Sequence, residues 1–295
     1  MARPITVLGV TLALWTTVVL LFVIVVSGGL RGPEGGVGFG PRVAVVELDG
    51  LILDVEDLLS DLKGHRENPL VRAVVIRINS PGGVVGPTQE VHDALQRLRR
   101  AGKPVVASLG AVAASGGYYI AVAADRIYAN PGTITGSIGV IMQMANLESL
   151  MKKVGVDYVV VKAGQFKDIG NFSRPMSPEE RRVLQSLLDD VHAQFVGAVA
   201  AGRGLDQNVV LRFADGRVFS GAQAKTLRMI DELGGLEEAI NAAATLAGLD
   251  VPPRVIPPRR RLSIFDLLGG QLGLATGRLI APTLPVFKTP LYLMD

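Results

Sequence analysis

The chain has 295 residues, of which 48% are hydrophobic, and its formal net charge is +3. This length is sufficient for one large domain or two small ones with an apolar core. Cysteine is absent, which excludes a disulfide framework, a thiolate zinc site and a cysteine nucleophile. The basic residues are mostly dispersed and have no aromatic platform beside them, so nucleic acid is not expected as a partner.

The first predicted element is a membrane anchor. Residues 5–26 carry no charge, and as a helix they are long enough to cross a bilayer core of ~30 Å. We therefore assign residues 1–30 to an uncleaved N-terminal transmembrane helix and residues 31–41 to a Gly/Pro-rich tether. A cleaved signal peptide is the alternative, but the apolar run is long for one and no Ala-x-Ala site follows it.

The anchor also indicates a location. A single N-terminal anchor usually leaves its domain outside the cytoplasm, although Arg3 before the run and Arg31 after it give little charge difference. We expect a single-pass protein of the cytoplasmic (inner) membrane whose main domain lies on the extracytoplasmic side.

From residue 42 onward strand patterns alternate with helix patterns, which indicates an α/β domain over residues 42–250. A plain Rossmann fold does not fit, because the strands come in short pairs. Apolar and β-branched runs predict strands at residues 42–48, 71–78, 104–109, 126–129, 138–142 and 157–161. Helical periodicity predicts helices at residues 55–63, 89–100, 116–123 and 147–154.

A long helix is predicted to begin near residue 177. Ser177 is suited to the N-cap, Pro178 to the first helical position, and Glu180 to the third, where it completes a capping box. Residues 251–295 then form a Pro/Arg linker followed by an apolar tail. Charges interrupt that tail, so a second membrane span is not predicted.

Two glycine-rich segments carry the first candidates for chemistry. Gly82 and Gly83 follow a strand, and paired glycines there leave amide N–H groups open to bind a developing oxyanion. The alternative is a simple tight turn. Ser115 precedes Gly116-Gly117 and a short helix, where small neighbours allow a peptide backbone to approach and the helix start favours negative charge on the serine oxygen. Its alternative is an ordinary N-cap serine.

A serine nucleophile needs a base. His65, His92 and His192 lie in a charged turn or on helices, so structural or solvated roles are expected for them. Lys167 instead lies in a glycine-bounded loop directly after a predicted strand. A free lysine has a pKa near ~10.4, and an apolar pocket lowers that pKa by disfavouring the ammonium form. An exposed lysine paired with Asp168 is the alternative.

Five segments together resemble the short bacterial signal peptide peptidase A family of Ser/Lys proteases, over roughly residues 42–248. Each segment is a weak signal alone, but the five occur in order at about the family's spacing. They are Asn-Ser-Pro-Gly-Gly at 79–83, Ala-Ala-Ser-Gly-Gly-Tyr-Tyr-Ile at 113–120, the run from Ala124 to Val140, Gly-Gln-Phe-Lys-Asp-Ile-Gly at 164–170 and Ala-Asp-Gly-Arg-Val-Phe at 214–219.

The resemblance implies a role for each candidate residue. Ser115 is the implied nucleophile and Lys167 the implied general base. Gly83 supplies the oxyanion-hole amide, with Gly82 a near-equal candidate, and Ser137 hydrogen-bonds the lysine and orients it. The implied fold is that of the ClpP/crotonase superfamily, built from β-β-α units with added helices, and no metal or cofactor is implied. One departure is Asn171-Phe172, which stands where many relatives have Ser-Pro.

The resemblance also implies partners. It predicts a membrane-anchored serine endopeptidase that degrades hydrophobic peptides, such as cleaved signal-peptide remnants. It implies a ring-like homo-oligomer in which neighbouring protomers contribute the serine and the lysine of one site, so that Ser115 and Lys167 lie apart in a single chain. For the apolar segment at residues 283–295 we consider a self-inhibitory peptide in the substrate groove, or packing on a neighbouring subunit or on lipid.

Other functions remain open from the sequence. A Ser/Lys membrane protease that acts on other membrane-protein substrates is the nearest, followed by a catalytically silent membrane scaffold. Acyl-CoA enzymes of the crotonase type share the implied fold but need no serine and lysine pair. A Ser-His-Asp protease needs a histidine soon after the serine, whereas the next one after Ser115 is His192.

Overall fold

The structure is a computed structural model that describes residues 40–259, residues 15, 16 and 19, and the backbone of residues 291–293. Residues 15, 16 and 19 are helical and belong to a unit separate from residues 41–295. The rest of the predicted anchor, most of the tether and residues 260–290 lie outside the described residues. Within the described part, no helix is long and apolar enough to cross a membrane.

The described strands and helices alternate along the chain. The strands are β1 (Arg42–Asp49), β2 (Val71–Ser80), β3 (Gly82–Val84), β4 (Val105–Ala114), β5 (Arg126–Ala129), β6 (Ile134–Gly136), β7 (Val218–Ser220), β8 (Glu232–Leu233), β9 (Val255–Ile256) and β10 (Leu291–Leu293). The helices are α1 (Glu56–Glu67), α2 (Val85–Arg100), α3 (Gly116–Ala121), α4 (Glu148–Val154), α5 (Pro178–Arg203), α6 (Gln207–Leu211), α7 (Gly221–Thr226) and α8 (Leu236–Leu246).

A mostly parallel sheet runs in the order β7-β6-β4-β2-β1-β9, with β7 antiparallel to β6. β2 pairs with β4 along one edge of β4. The other edge of β4 is shared, because its first half pairs with β5 and its second half with β6. β3 lies outside this sheet and pairs antiparallel with β10.

Both faces of the sheet are covered, as the near-continuous apolar strands require. Alternate residues of β1 and β2, such as Val45 and Val75, pack against the alanine face of α8 around Ala243. The opposite face, which includes Ile76, packs against α2, α3 and α5, and there Phe195 of α5 is fully buried. The period-2 alternation along each strand divides these two cores.

Most predicted elements are confirmed, and the capping box at the start of α5 forms as the sequence predicts. The strands predicted at residues 138–142 and 157–161 are wrong. The second segment pairs with no described strand, and Val159 and Val161 are 82% and 96% exposed. A β-branched run favours a strand only where a neighbouring surface receives it. β3 was not predicted, because Pro81-Gly82-Gly83 is typical of a turn.

The position of Phe195 yields a stability prediction. Its ring lies 5.1 Å from the Tyr119 ring in an edge-on contact, which joins α5 to α3. We expect Phe195→Ala to lower the free energy of unfolding by about 3–5 kcal/mol, because the cavity cannot be refilled. Leu187→Ala, on the exposed face of α5, should change it by less than ~0.5 kcal/mol. Denaturant unfolding measures both, and equal losses would contradict this core assignment.

Candidate active site

The predicted oxyanion glycines, nucleophile and lysine-orienting serine follow the ends of three adjacent parallel strands. β2 ends before Gly82 and Gly83, β4 ends before Ser115, and β6 ends before Ser137. β2 and β6 flank β4, one along each edge. Since the carboxyl ends of neighbouring parallel strands meet at one edge of a sheet, these four residues lie side by side.

Ser115 occupies a strained turn between β4 and α3. Its backbone has φ 52° and ψ −117°, and its N–H donates to the Gly136 carbonyl oxygen at 2.8 Å. A non-glycine residue in this region costs of order 1–3 kcal/mol and persists where the surroundings enforce it. A sharp strand-to-helix turn of this kind is how hydrolases present a nucleophilic serine oxygen.

The Ser115 hydroxyl is buried and unpartnered. The residue is fully buried, and Oγ makes no hydrogen bond within the described part of the chain. It does not cap α3 either, so the ordinary N-cap alternative does not hold. An unsatisfied buried hydroxyl is unfavourable unless a partner from outside completes it. The arrangement is therefore suited to receiving a substrate and a base.

Glycines after the serine let α3 approach β3 closely. A Cβ on Gly116 would lie 2.9 Å from Thr88 Oγ1 and 3.3 Å from the Gly83 nitrogen. A Cβ on Gly117 would lie 2.9 Å from the Ser80 carbonyl oxygen. Any larger residue would push the helix away, so these two glycines keep the Gly83 amide beside the Ser115 turn.

The hydrogen bonds of β3 separate the two oxyanion candidates. Gly82 N–H is already engaged, because it donates to Ser80 Oγ at 3.1 Å. Val84 N–H donates to the Ile52 carbonyl oxygen at 2.8 Å. Successive amides of a strand point to opposite edges, so the Gly83 N–H faces away from Ile52. This geometry favours Gly83 over Gly82 as the oxyanion donor.

A second donor was missed by the sequence reading. Gly116 is the first residue of α3, and N–H groups of a first helical turn have no acceptor within the helix. In serine hydrolases the amide of the residue after the nucleophile commonly helps to bind the oxyanion. Its position next to Ser115 was a signal that could have identified Gly116.

The edge of β3 that carries the Gly83 amide binds an extended segment of the same chain. The backbone of Leu291–Leu293 pairs antiparallel with Gly82–Val84, and Tyr292 lies opposite Gly83. Adding a strand to an open edge is a common way to bind an extended peptide, through main-chain hydrogen bonds. The β3 edge is therefore able to hold a peptide backbone next to Ser115.

Ser137 also lies at a strained position, with φ 52°. Its N–H donates to the Arg217 carbonyl oxygen at 2.8 Å, and the residue is only 6% exposed. It lines a cavity of about 800 Å³ together with Asp189 and His192 of α5. Ser137 therefore connects this cavity to the end of β6.

Lys167 is not joined to Ser115 in the described chain, since Ser115 Oγ has no hydrogen-bond partner there. It is exposed in a series of turns, where its N–H donates to the Gly164 carbonyl oxygen at 3.2 Å. The alternative pairing with Asp168 is not formed either. Asp168 is held by Lys162 and by Arg174 Nε at 3.0 Å, and these hydrogen bonds lower the pKa of Asp168 to about 2.

None of the three histidines is placed as a base for Ser115, although His192 lines the cavity beside Ser137. The unpartnered Ser115 hydroxyl contacts none of them. His92 packs against the Tyr119 ring at 5.0 Å, and burial lowers its pKa. Burial also lowers the pKa of His65, and His192 Nε2 donates to the Ala214 carbonyl oxygen at 2.9 Å. Their roles in the described chain are structural, which disfavours a serine-histidine mechanism.

The departure at Asn171-Phe172 is accommodated locally. Asn171 Oδ1 accepts a hydrogen bond from the Ser173 N–H at 2.8 Å. The Phe172 ring lies 4.9 Å from the Tyr158 ring, and the Phe172 carbonyl oxygen accepts from the Leu147 N–H at 2.7 Å. These contacts connect the end of the Lys167 loop to the start of α4.

Comparisons with known proteins agree on one family. Residues 97–250 match the family described as peptidase family S49. A putative protease of Synechocystis sp. is 49% identical over 211 residues, which is 71% of this chain and 76% of that protein. A putative signal peptide peptidase SppA of Enterococcus faecium is 35% identical over 187 residues, 63% of this chain and 54% of that protein.

A longer relative extends the pattern. Protease 4 of Salmonella typhi is 35% identical over 219 residues, which is 71% of this chain but 35% of that protein. The chain therefore spans most of the Synechocystis relative and only about half or less of the other two. The region matched to the family contains Ser115, Ser137 and Lys167, and it begins after Gly83.

Gly83 and Gly86 provide a matched pair of substitutions. A Cβ at position 83 would overlap the Ile52 backbone, whereas a Cβ at position 86 meets nothing within 4 Å. We expect Gly83→Ala to lower kcat by about 10²–10³, the size of effect seen when an oxyanion donor is lost. Alanine keeps the amide N–H, but its Cβ must move the strand away from the Ile52 backbone and displace that N–H, whereas Gly86→Ala should keep near-normal turnover. Steady-state peptidase assays measure the effect, and circular dichroism verifies folding. Normal turnover by folded Gly83→Ala would contradict the need for this amide at its present position.

Proposed function

This chain belongs to peptidase family S49 and is a serine-type peptidase similar to signal peptide peptidase A, and we propose that Ser115 is its nucleophile and Lys167 its general base. The observation that carries the proposal is the strained Ser115 turn, whose buried hydroxyl lacks a hydrogen-bond partner and whose next residue, Gly116, packs closely against the Gly83 amide. A serine that is merely structural has no reason to combine these features.

The first half of the proposed reaction forms an acyl-enzyme. Ser115 Oγ attacks the scissile carbonyl carbon while the neutral amine of Lys167 takes the hydroxyl proton. The carbonyl oxygen becomes an oxyanion and accepts hydrogen bonds from the Gly83 and Gly116 amides. Collapse of this intermediate breaks the C–N bond, and the lysine ammonium returns its proton to the leaving amine.

The second half releases the product. Lys167 takes a proton from water, which attacks the acyl-enzyme and forms a second oxyanion at the same amides. Collapse breaks the ester bond, and the proton passes back to Ser115 Oγ. In both halves the Ser137 hydroxyl forms a hydrogen bond with the Lys167 amine and orients it toward Ser115 Oγ. Ser137 is suited to this role because it follows β6, which pairs with the strand that precedes Ser115.

The lysine of one site comes from a neighbouring copy in our proposal. Ser115 is buried without a partner, whereas Lys167 is exposed in the same chain. A cavity of about 800 Å³ next to Ser137 provides room for an incoming side chain. Contact between copies would also remove water from the amine and so favour its neutral form. A closed ring of identical chains meets these requirements.

Exposed apolar residues support this assembly. Leu150 and Val154 of α4 are 56% and 63% exposed, and the unpaired segment after them exposes Val159 and Val161. A contiguous apolar surface of this kind is typical of a protein or membrane contact. It lies in the part of the chain that leads directly into the Lys167 loop, so a neighbour that covers it also receives Lys167.

The proposed substrates are hydrophobic peptides in extended form, such as cleaved signal-peptide remnants. The β3 edge already binds three residues of extended backbone, and the Enterococcus relative, a putative signal peptide peptidase, points to the same substrate class. We further propose that residues 1–30 anchor the enzyme in the cytoplasmic membrane with the peptidase domain outside the cytoplasm. An anchored enzyme meets such peptides where they are released.

The finer fold assignment is to the ClpP/crotonase superfamily. β4 pairs with β5 along its first half and with β6 along its second half, which suits a chain of β-β-α units that winds from one layer to the next. Acyl-CoA enzymes of that superfamily are disfavoured by the peptidase family match. The alternatives are a protease of other membrane-protein substrates and a silent scaffold, and loss of turnover in the Ser115 and Lys167 variants would exclude the scaffold.

Complementation tests the dyad and its assembly together. We expect Ser115→Ala and Lys167→Ala each to lose almost all turnover of an apolar peptide, because nucleophile or base is missing. Co-assembled equal mixtures of the two variants should recover about a quarter of wild-type activity if each site combines neighbouring protomers. No recovery would contradict sharing of the site, and a fully active Lys167→Ala would contradict the lysine base.

The segment around residue 292 gives a second test, since it occupies the β3 edge that we assign to substrate. Deleting residues 280–295 should raise kcat/KM for a peptide, because a competitor within the chain is removed. Tyr292→Pro should act in the same direction, since proline has no N–H to donate in the strand pair. Unchanged kinetics in both variants would favour packing of this segment on a neighbouring subunit or on lipid.

A further inference from the structure

Both carboxylate oxygens of Asp168, the residue after Lys167, are occupied. Lys162 Nζ donates to Asp168 Oδ1, and Arg174 Nε donates to Oδ2 at 3.0 Å. The Asp168 side chain is only 11% exposed. The carboxylate nearest to Lys167 along the chain is therefore already paired with two other cations, Lys162 and Arg174.

The same cluster is anchored to the start of α5. Arg174 Nη1 donates to Glu180 Oε2 at 2.9 Å, and its second terminal nitrogen binds Glu180 Oε1. Glu180 is buried and accepts from the Ser177 N–H at 2.8 Å as part of the capping box. Lys162 Nζ additionally donates to the Gln165 carbonyl oxygen at 2.8 Å. We call Lys162, Asp168, Arg174 and Glu180 the loop network.

The loop network is neutral, since it contains two cations and two carboxylates. Hydrogen bonds from Lys162 and then Arg174 hold the pKa of Asp168 to about 2, and those from Arg174 and Ser177 hold the pKa of Glu180 to about 2. Both carboxylates thus stay charged wherever the enzyme works. Glu179, which accepts from Gln165 Nε2 at 3.0 Å, is the further acid beside this loop.

We propose that Lys162 is a positioning residue for the general base: by binding Asp168 it keeps that carboxylate from pairing with the adjacent Lys167 ammonium. The inference rests on the proposed function of Lys167. A base must be neutral to accept the serine proton, and an unpaired carboxylate nearby favours the ammonium form of a lysine. The loop network removes that competitor without removing the carboxylate, which still braces the loop through Arg174.

The sign of the effect follows from the charge. An enzyme with a lysine base gains activity as the pH rises through the pKa of that lysine, because the neutral amine accumulates. Lys162→Met leaves the network with one net negative charge next to Lys167, which stabilises the ammonium. The acidic limb of the kcat/KM profile should therefore move to higher pH by about one unit, with about tenfold lower kcat/KM on the limb.

A purely structural role makes a different prediction. If Lys162 only braces the loop, its loss lowers kcat/KM by one factor at all pH values and leaves the limb in place. Lys162→Arg, which retains the cation, should keep the limb at its wild-type position. Lys225→Met is the matched control, because it breaks the ion pair with Glu232 at 2.9 Å, outside both the loop network and α4.

The deciding experiment is a kcat/KM profile against pH for the full chain on an internally quenched apolar peptide. The variants are Lys162→Met, Lys162→Arg, Lys225→Met, Asp168→Asn and the double variant Lys162→Met/Asp168→Asn. The proposal expects the double variant to return the limb to its wild-type position, since the released carboxylate is gone. Thermal unfolding checks that each variant folds.

Two outcomes would overturn the inference: a limb unmoved in Lys162→Met, or a limb that stays shifted in the folded double variant. Lys167→Ala in the same assay separates this from failure of the proposed function. An active Lys167→Ala refutes the lysine base itself. An inactive Lys167→Ala with an unmoved Lys162→Met limb refutes only the role of Lys162.

Discussion

Parallel pairing of β2, β4 and β6 is the constraint on which the site depends. Their register brings three strand ends to one edge, and the residues that follow those ends are the candidates for oxyanion binding, nucleophilic attack and orientation of the base. Because β2 and β4 are buried on both faces, the central part of this edge is firmly held. The candidate site is thus a product of sheet geometry, and only the proposed lysine base comes from a loop.

Rigidity also explains how strained backbone persists there. Ser115 and Ser137 both have φ 52°, and each is fixed by a hydrogen bond from its own N–H to a neighbouring segment. The glycines after Ser115 allow α3 to press against β3. A less tightly packed edge would let these residues relax to ordinary angles, and the Ser115 hydroxyl would then turn away from the Gly83 amide.

The sequence predicted what depends on local chemistry and missed what depends on tertiary partners. Short sequence patterns predict the α/β class, the α5 capping box and a Ser115 turn next to glycines. The unpaired 157–161 segment was wrongly predicted as a strand, because its β-branched run has no neighbour to pair with. The link from Arg174 to Glu180 was missed because it depends on how the Lys167 loop packs against the start of α5, whereas Gly116 could have been identified from its position next to Ser115.

Glu180 binds two partners and so connects two parts of the chain. It completes the capping box of α5 through Ser177 and binds Arg174, which in turn holds the loop that carries Lys167. Local opening of a protein proceeds in cooperative units bounded by such shared contacts. We therefore expect the first turn of the helix and the loop of Lys167 to open together, so that fraying of a helix end, far along the chain from Ser115, would also release the proposed base.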